Sequence, residues 1–171
     1  MNVRTSLNAL AAGLAITATA AFTTAGLSAA TATASMPVSA TVANNCTITT
    51  NPVAFGTYDP IVAQASANLD ANGAVIIACT KGAVTTLGLD TGANPASSTR
   101  RLASSGNFIS YELYQDSNRS TVWGNSGAAL YNSGTAPSKD ARTFQVYGRI
   151  TGGQDVPAGS YTDTIVATVN F

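Results

Sequence analysis

The amino-acid sequence predicts an all-β domain folded as a two-sheet sandwich, and three observations carry that expectation. Beyond the N-terminal leader, no stretch of ten or more residues repeats its apolar positions with a 3.6-residue period. Short segments instead alternate apolar and polar residues with a period of 2. Turn signals separate them, among them Asn51-Pro52, Asp59-Pro60, Asn72-Gly73 and Gly152-Gly153. The closing stretch, GSYTDTIVATVNF, is the most strand-like of all. Tyr161, Ile165, Ala167, Val169 and Phe171 share one parity, and Thr162, Thr164, Thr168 and Asn170 share the other. Many short strands between Gly, Pro and Asn turns pack as a sandwich rather than around helices.

The elements follow in order. Met36, Val38, Ala40 and Val42 alternate with Pro37, Ser39, Thr41 and Ala43, the pattern of a short strand, and Cys46 and Ile48 resume it beyond Asn44-Asn45. AVIIACT (74–80) is a compact apolar run, as expected of a strand buried on both faces, and VTTLGLD (84–90) follows Lys81-Gly82. RRLAS reads as a short edge strand. FISYELYQD places Ile109, Tyr111 and Leu113 on one face. After the polar turn 116–121 and Val122-Trp123-Gly124, a Gly/Ser/Asn-rich stretch runs to Ala141 without a strand signal. TFQVYGRI then places Phe144, Val146 and Ile150 together. The spacing Pro157, Gly159, Tyr161 resembles a tyrosine corner, in which the hydroxyl ties a connecting loop to the last strands.

The chain of 171 residues suffices for one modest core. Arg4, an apolar run (LNALAAGLAITATAAF) and small residues in repeated A-x-A patterns describe a secretory signal peptide, residues 1–34, with cleavage within about 30–35. The Ala- and Thr-rich run, interrupted by Gly13, is too weakly apolar for a stable membrane anchor. Loss of Arg4 takes the eight Lys/Arg to seven against eight Asp/Glu, a net charge of −1. Nothing in that balance suits nucleic acid. Charged residues make up only 9% of the chain, so Ser, Thr, Asn, Gln and Gly must cover the surface, as suits an exported protein packed against copies of itself. Two cysteines in an exported chain, Cys46 and Cys79, read as one disulfide. Closing that loop of about 33 residues stabilises by roughly 3–4 kcal/mol in the chain-entropy treatment.

Catalytic chemistry is hard to assemble from these residues. Histidine is absent, so no Ser-His-Asp or Cys-His relay can form. The single glutamate, Glu112, reads as a paired or solvated group on an outer face. Asp116, Ser117 and Asn118 are the best local oxygen cluster, and turn chemistry accounts for them without a metal. Trp123, Tyr114 and Tyr131 offer aromatic surface either for stacking a sugar or for core packing, and core packing is the expectation. No catalytic residue, cofactor site or metal site is assigned.

The residues Cys46-Thr47-Ile48, Phe55-Gly56-Thr57-Tyr58, Arg100-Arg101-Leu102, Ser110 through Asp116, Trp123-Gly124 and the tail from Ala158 through Phe171 resemble the spore coat protein U-like family. That family includes subunits of archaic chaperone–usher pili. The resemblance covers nearly all of the chain beyond the leader. It implies an immunoglobulin-like sandwich that lacks its final strand and is completed by a donor strand in trans. On that pattern residues 35–45 form the N-terminal donor-strand segment, with Met36, Val38, Ala40 and Val42 entering a neighbour's groove. Residues 46–171 form the sandwich, and Ile165, Ala167, Val169 and Phe171 line the acceptor groove that first binds a periplasmic chaperone. The implied partners are that chaperone, an outer-membrane usher and other copies of the chain or related pilins. The implied destination is a surface pilus, reached through the periplasm and serving adhesion or biofilm formation. A non-polymeric coat or matrix protein and a carbohydrate-binding module are the alternatives.

Overall fold

The computed structural model describes Gly26 and Ser28–Phe171. The charged start and apolar run expected of the signal peptide lie outside the described residues. Ala40–Phe171 form one compact unit, and the residues before Ala40 form a separate one. From Ser28 to Asn45 the chain has no regular secondary structure, so the alternation of Met36–Val42 is not accompanied by a ladder.

Among the described residues, eight strands build two sheets. One has the order β1 (Cys46–Asn51), β2 (Leu69–Cys79), β7 (Arg142–Ile150), β5 (Asn107–Tyr114), β4 (Arg100–Ser104). The other has β6 (Tyr131–Thr135), β3 (Val84–Leu89), β8 (Ala167–Asn170). Every pairing is antiparallel. This is an all-β, immunoglobulin-like sandwich. Its inner faces meet in a core of Val75, Ile77, Leu87, Leu89, Ile109, Tyr111, Leu113, Trp123, Val146 and Ile150.

Period-2 alternation explains the long strands. Along β7, Val146, Gly148 and Ile150 are buried while Thr143 and Gln145 are exposed. In β2 the run from Ala74 to Cys79 is buried or half-buried at every residue, as a central strand between β1 and β7 requires. RRLAS is indeed the edge, β4. Two departures concern the second sheet. Tyr131–Thr135 (YNSGT) is a strand despite its polar sequence, because β3 pairs with it across a bulge at Thr85/Thr86. The terminal ladder is shorter than its alternation predicts, starting only at Ala167. Val122-Trp123-Gly124 lies outside the strands. It makes an isolated bridge from Val122 to Tyr114 and sends Trp123 into the core.

Candidate functional site: a groove between two open strand edges

Among the described residues, the last strand of one sheet, β8, pairs with β3 and with no other strand. The first strand of the other, β1, pairs only with β2. Between these edges lies a groove of about 350 Å³. Pro52, Val53 and Phe55 line one side and Asp163, Ile165 and Ala167 the other, over a floor that includes Val75, Leu89, Leu113 and Val146. It continues, through the shared residues Val53, Phe55 and Leu102, into a second compartment of about 800 Å³ between residues 53–61 and 155–161.

Each wall is held by contacts other than a ladder. After Asn51 the chain leaves β1, and Val53 and Phe55 settle directly on the backbone of β2 and β7. A Cβ on Gly73 would lie 2.6 Å from Val53 Cγ2, and one on Gly148 would lie 2.7 Å from Val53 Cγ1 and 2.9 Å from Phe55 Cζ. Both positions therefore require glycine for close approach. The backbone groups of Val53–Thr57 find no hydrogen-bond partner among the described residues.

The opposite wall is pinned by the loop after β3. Asp90 N–H donates to the Val166 carbonyl (3.1 Å), and Val166 N–H donates back to Asp90 Oδ1 (2.9 Å). Asp163 Oδ1 accepts from Ala93 N–H at 2.9 Å and from Asn94 Nδ2 at 3.3 Å. Its Oδ2 accepts from the Tyr111 hydroxyl at 2.7 Å. Burial, and then this bond to a carboxylate, push the Tyr111 hydroxyl well above its ordinary range, so it remains a proton donor. Because Val166 bonds inward to Asp90 and Thr168 pairs with Gly88, antiparallel alternation turns the backbone groups of Ile165, Ala167 and Val169 to the open side. An apolar channel flanked by unpaired backbone on both walls has the geometry that addition of an extended strand requires.

The Spore Coat Protein U domain, as a family, matches residues 32–168. The chain belongs to that family. This Spore Coat Protein U domain is also 37% identical over 158 residues to "Protein U" of Myxococcus xanthus, covering 84% of this chain and 87% of that protein. Among solved structures, it is similar to a crystal structure of the CsuC–CsuE chaperone–tip adhesion subunit pre-assembly complex, from the archaic chaperone–usher Csu pili of Acinetobacter baumannii. The TM-score is 0.57 at 23% identity, covering 77% of this chain and 41% of that one. The likeness is one of fold. Spore Coat Protein U domains are structural and not enzymatic.

The remaining sequence-predicted residues are placed as follows. Cys46 and Cys79 form a disulfide between the first residue of β1 and the last of β2. Ile165 and Ala167 line the groove, Val169 packs against the core, and Phe171 lies beyond β8 and is 55% exposed. Met36 (85%), Val38 (89%) and Val42 (81%) stand exposed, as does Ala40. Trp123 is fully buried, with Nε1 donating to the Leu87 carbonyl (3.0 Å) and its ring stacked on Tyr131 at 4.8 Å. Tyr114 lies on the outer face of its sheet, so the three aromatics do not converge on a sugar platform. Glu112 is paired with Arg100. The Asp116 carboxylate is occupied by the N–H groups of Ser120 and Thr121, bonds that hold it below the usual range, the one from Thr121 foremost. No cluster of metal ligands occurs among the described residues. Nor is any helix among them long and apolar enough to cross a membrane.

Tyr161 donates its hydroxyl to the Pro157 carbonyl at 2.9 Å, closing the turn that carries the chain into the second wall. Tyr161→Phe removes that single bond and nothing else. The expected cost is about 1 kcal/mol, read from the urea midpoint. An unchanged midpoint would leave Tyr161 with a packing role only.

What the sequence did not disclose is the first wall. Val53 and Phe55 alternate, but their importance rests on two glycines in distant strands. Arg100 was equally hidden. Read as an edge residue of RRLAS, it is 2% exposed. Its Nε donates to Asp90 O (2.8 Å) and its Nη2 to Leu89 O (2.9 Å) and Trp123 O (2.7 Å), while Nη1 contacts Glu112. It thereby ties β4 of one sheet to the end of β3 in the other.

Proposed function

We propose that this protein is a structural subunit of a surface pilus, assembled by the chaperone–usher pathway through donor-strand exchange. The observation that carries the reading is the groove with unpaired backbone on both walls, considered together with an exposed alternating segment at the other end of the chain. In this reading Ile165, Ala167 and Val169 accept a strand, and Phe171 at the rim presents its side chain and carboxylate to basic residues of a periplasmic chaperone. An outer-membrane usher then exchanges the chaperone's strand for Met36, Val38, Ala40 and Val42 of the next copy. Burying those four side chains contributes about 6–10 kcal/mol before ordering costs. The Cys46–Cys79 bridge fixes the base of the donated segment. Export through the periplasm to the cell surface, and a role in adhesion or biofilm formation, belong to the same reading.

The test is periplasmic expression with and without a cognate chaperone. Polymer should give detergent-resistant, heat-labile ladders on gels, and deletion of residues 35–43 should abolish the ladder while chaperone binding persists. A ladder that survives the deletion overturns the donor assignment. A second reading, a non-polymeric coat or matrix protein, is favoured by the 37% identity to Protein U. It predicts a folded monomer with no need of a chaperone.

A further inference from the structure

The link between Val42 and the sandwich is short. Ala43, Asn44 and Asn45 separate it from the disulfide at Cys46, four Cα steps that reach at most about 14 Å. Even that length is held down. Thr80 Oγ1 lies 3.3 Å from each of the Ala43 and Asn45 carbonyls and accepts from Asn45 N–H at 3.0 Å. A body whose segment enters a second copy's groove must therefore rest against the mouth of that groove.

The two ends of the sandwich differ in charge. At the end where Cys46 pairs with Cys79, the segment is rooted beside both lysines of the chain. Lys81 follows Thr80, and Lys139 stands in the turn before β7; Gly82 N–H, donating to the Ala136 carbonyl (2.9 Å), joins the two turns. Both lysines are exposed, as is Val84 at 66%, while Asp140 in the same turn accepts from Ser138. At the opposite end, where Leu69 pairs with Ile150, the turn 59–64 holds Ile61 and Val62 bare, at 81% and 76% exposure. That turn is built to hold them so. Asp59 Oδ1 accepts from Ile61 and Val62 N–H (2.9 and 3.1 Å). Asp59 N–H donates to Gln64 Oε1, and Gln64 N–H to the Asp59 carbonyl (2.8 Å each). The bonds from Ile61 and Val62 keep the Asp59 carboxylate below its usual range. Asp155, exposed, lines the same compartment as Pro60 and Ile61. Of the cations on this side, Arg149 is paired with Asp70, and Arg101 lies over the Phe108 ring. Apolar side chains held out rigidly beside anions form a contact surface whose ordering cost is already met.

Resting on the strand-exchange reading, we infer a second interface between consecutive copies, in which the lysine end of the incoming body seats on the 59–64 turn and Asp155 of the receiving one. Lys81 and Lys139 meet the two carboxylates, and their stems, with Val84, cover Ile61 and Val62. The opposite orientation would bring the lysine ends of both copies together, like charge against like. This contact is between folded bodies and is separate from the strand in the groove.

Carbodiimide coupling of the assembled polymer, followed by proteolysis and mass spectrometry, tests it, because the reagent joins an ammonium to a carboxylate that touches it. An amide from Lys81 or Lys139 to Asp59 or Asp155 is expected. These groups lie at opposite ends of one copy, so such a link joins two copies. A polymer whose lysines couple to neither aspartate overturns the inference. In a second arm, Ile61→Ser and Asp155→Lys, both at exposed positions, should each speed dissociation in urea about three- to tenfold. Rates equal to that of the unaltered polymer overturn it too. If the unaltered protein forms no ladder, or the ladder survives deletion of residues 35–43, the strand-exchange reading has failed and this contact falls with it.

Discussion

Arg100→Met should destabilise the sandwich by about 3–5 kcal/mol, the range for removing one member of a buried ion pair. Methionine can fill much of the volume but donates nothing. The carbonyls of Leu89, Asp90 and Trp123 each lose their Arg100 donor, at about 1–3 kcal/mol for a buried acceptor that finds no substitute. Glu112 is left with a single backbone donor, Leu113 N–H. Its side chain is 25% exposed, so water screens part of that loss, and most of the effect falls on the carbonyls. Guanidinium unfolding at fixed pH reads the change, and a loss below about 1 kcal/mol would show that the carbonyls are rehydrated without difficulty. Leu89 lines the groove, so on the proposed strand-exchange reading the same variant should also loosen strand capture.

Trp123→Ala should cost about 3–5 kcal/mol through the cavity it leaves in the core. The indole is fully buried, stacked on Tyr131, and donates to the Leu87 carbonyl in the middle of the core cluster. Near-ultraviolet circular dichroism would report the loss of fixed aromatic packing alongside the lowered denaturation midpoint. Because Arg100 donates to the Trp123 carbonyl, the two substitutions are not independent. The double variant should lose less than the sum of the single ones, with a coupling of roughly 0.5–3 kcal/mol. Strict additivity would mean that Arg100 holds the Trp123 backbone whatever the side chain does.

The legible part of the fold is the part in which one strand face is buried. β2, β5 and β7 follow from Val75 and Ile77, from Ile109, Tyr111 and Leu113, and from Val146 and Ile150, because burial writes itself as alternation. Tyr131–Thr135 was illegible because that strand owes its existence to its neighbour β3. Its Asn132 and Gly134 serve a bulged edge rather than a core. The tail's parity was legible from Tyr161 onward, yet the regular ladder covers only Ala167–Asn170. The preceding residues are gripped by Asp90 and Asp163 through the 90–94 loop, a long-range arrangement with no local signature. The groove was half legible. Ile165 and Ala167 announced one wall, whereas Val53 and Phe55 became a wall only through Gly73 and Gly148.

The position of the disulfide determines how this domain would behave under tension. A pull arriving along the N-terminal segment meets Thr80 at Ala43 and Asn45, and then the covalent bridge at Cys46. The bridge hands the load to Cys79, at the end of β2, which is bonded on both flanks by β1 and β7. Without that link, the force would first act on β1, an edge strand whose hydrogen bonds could open one at a time like a zip. With it, β1 is bypassed, and the strand leading into the groove's first wall stays seated under load.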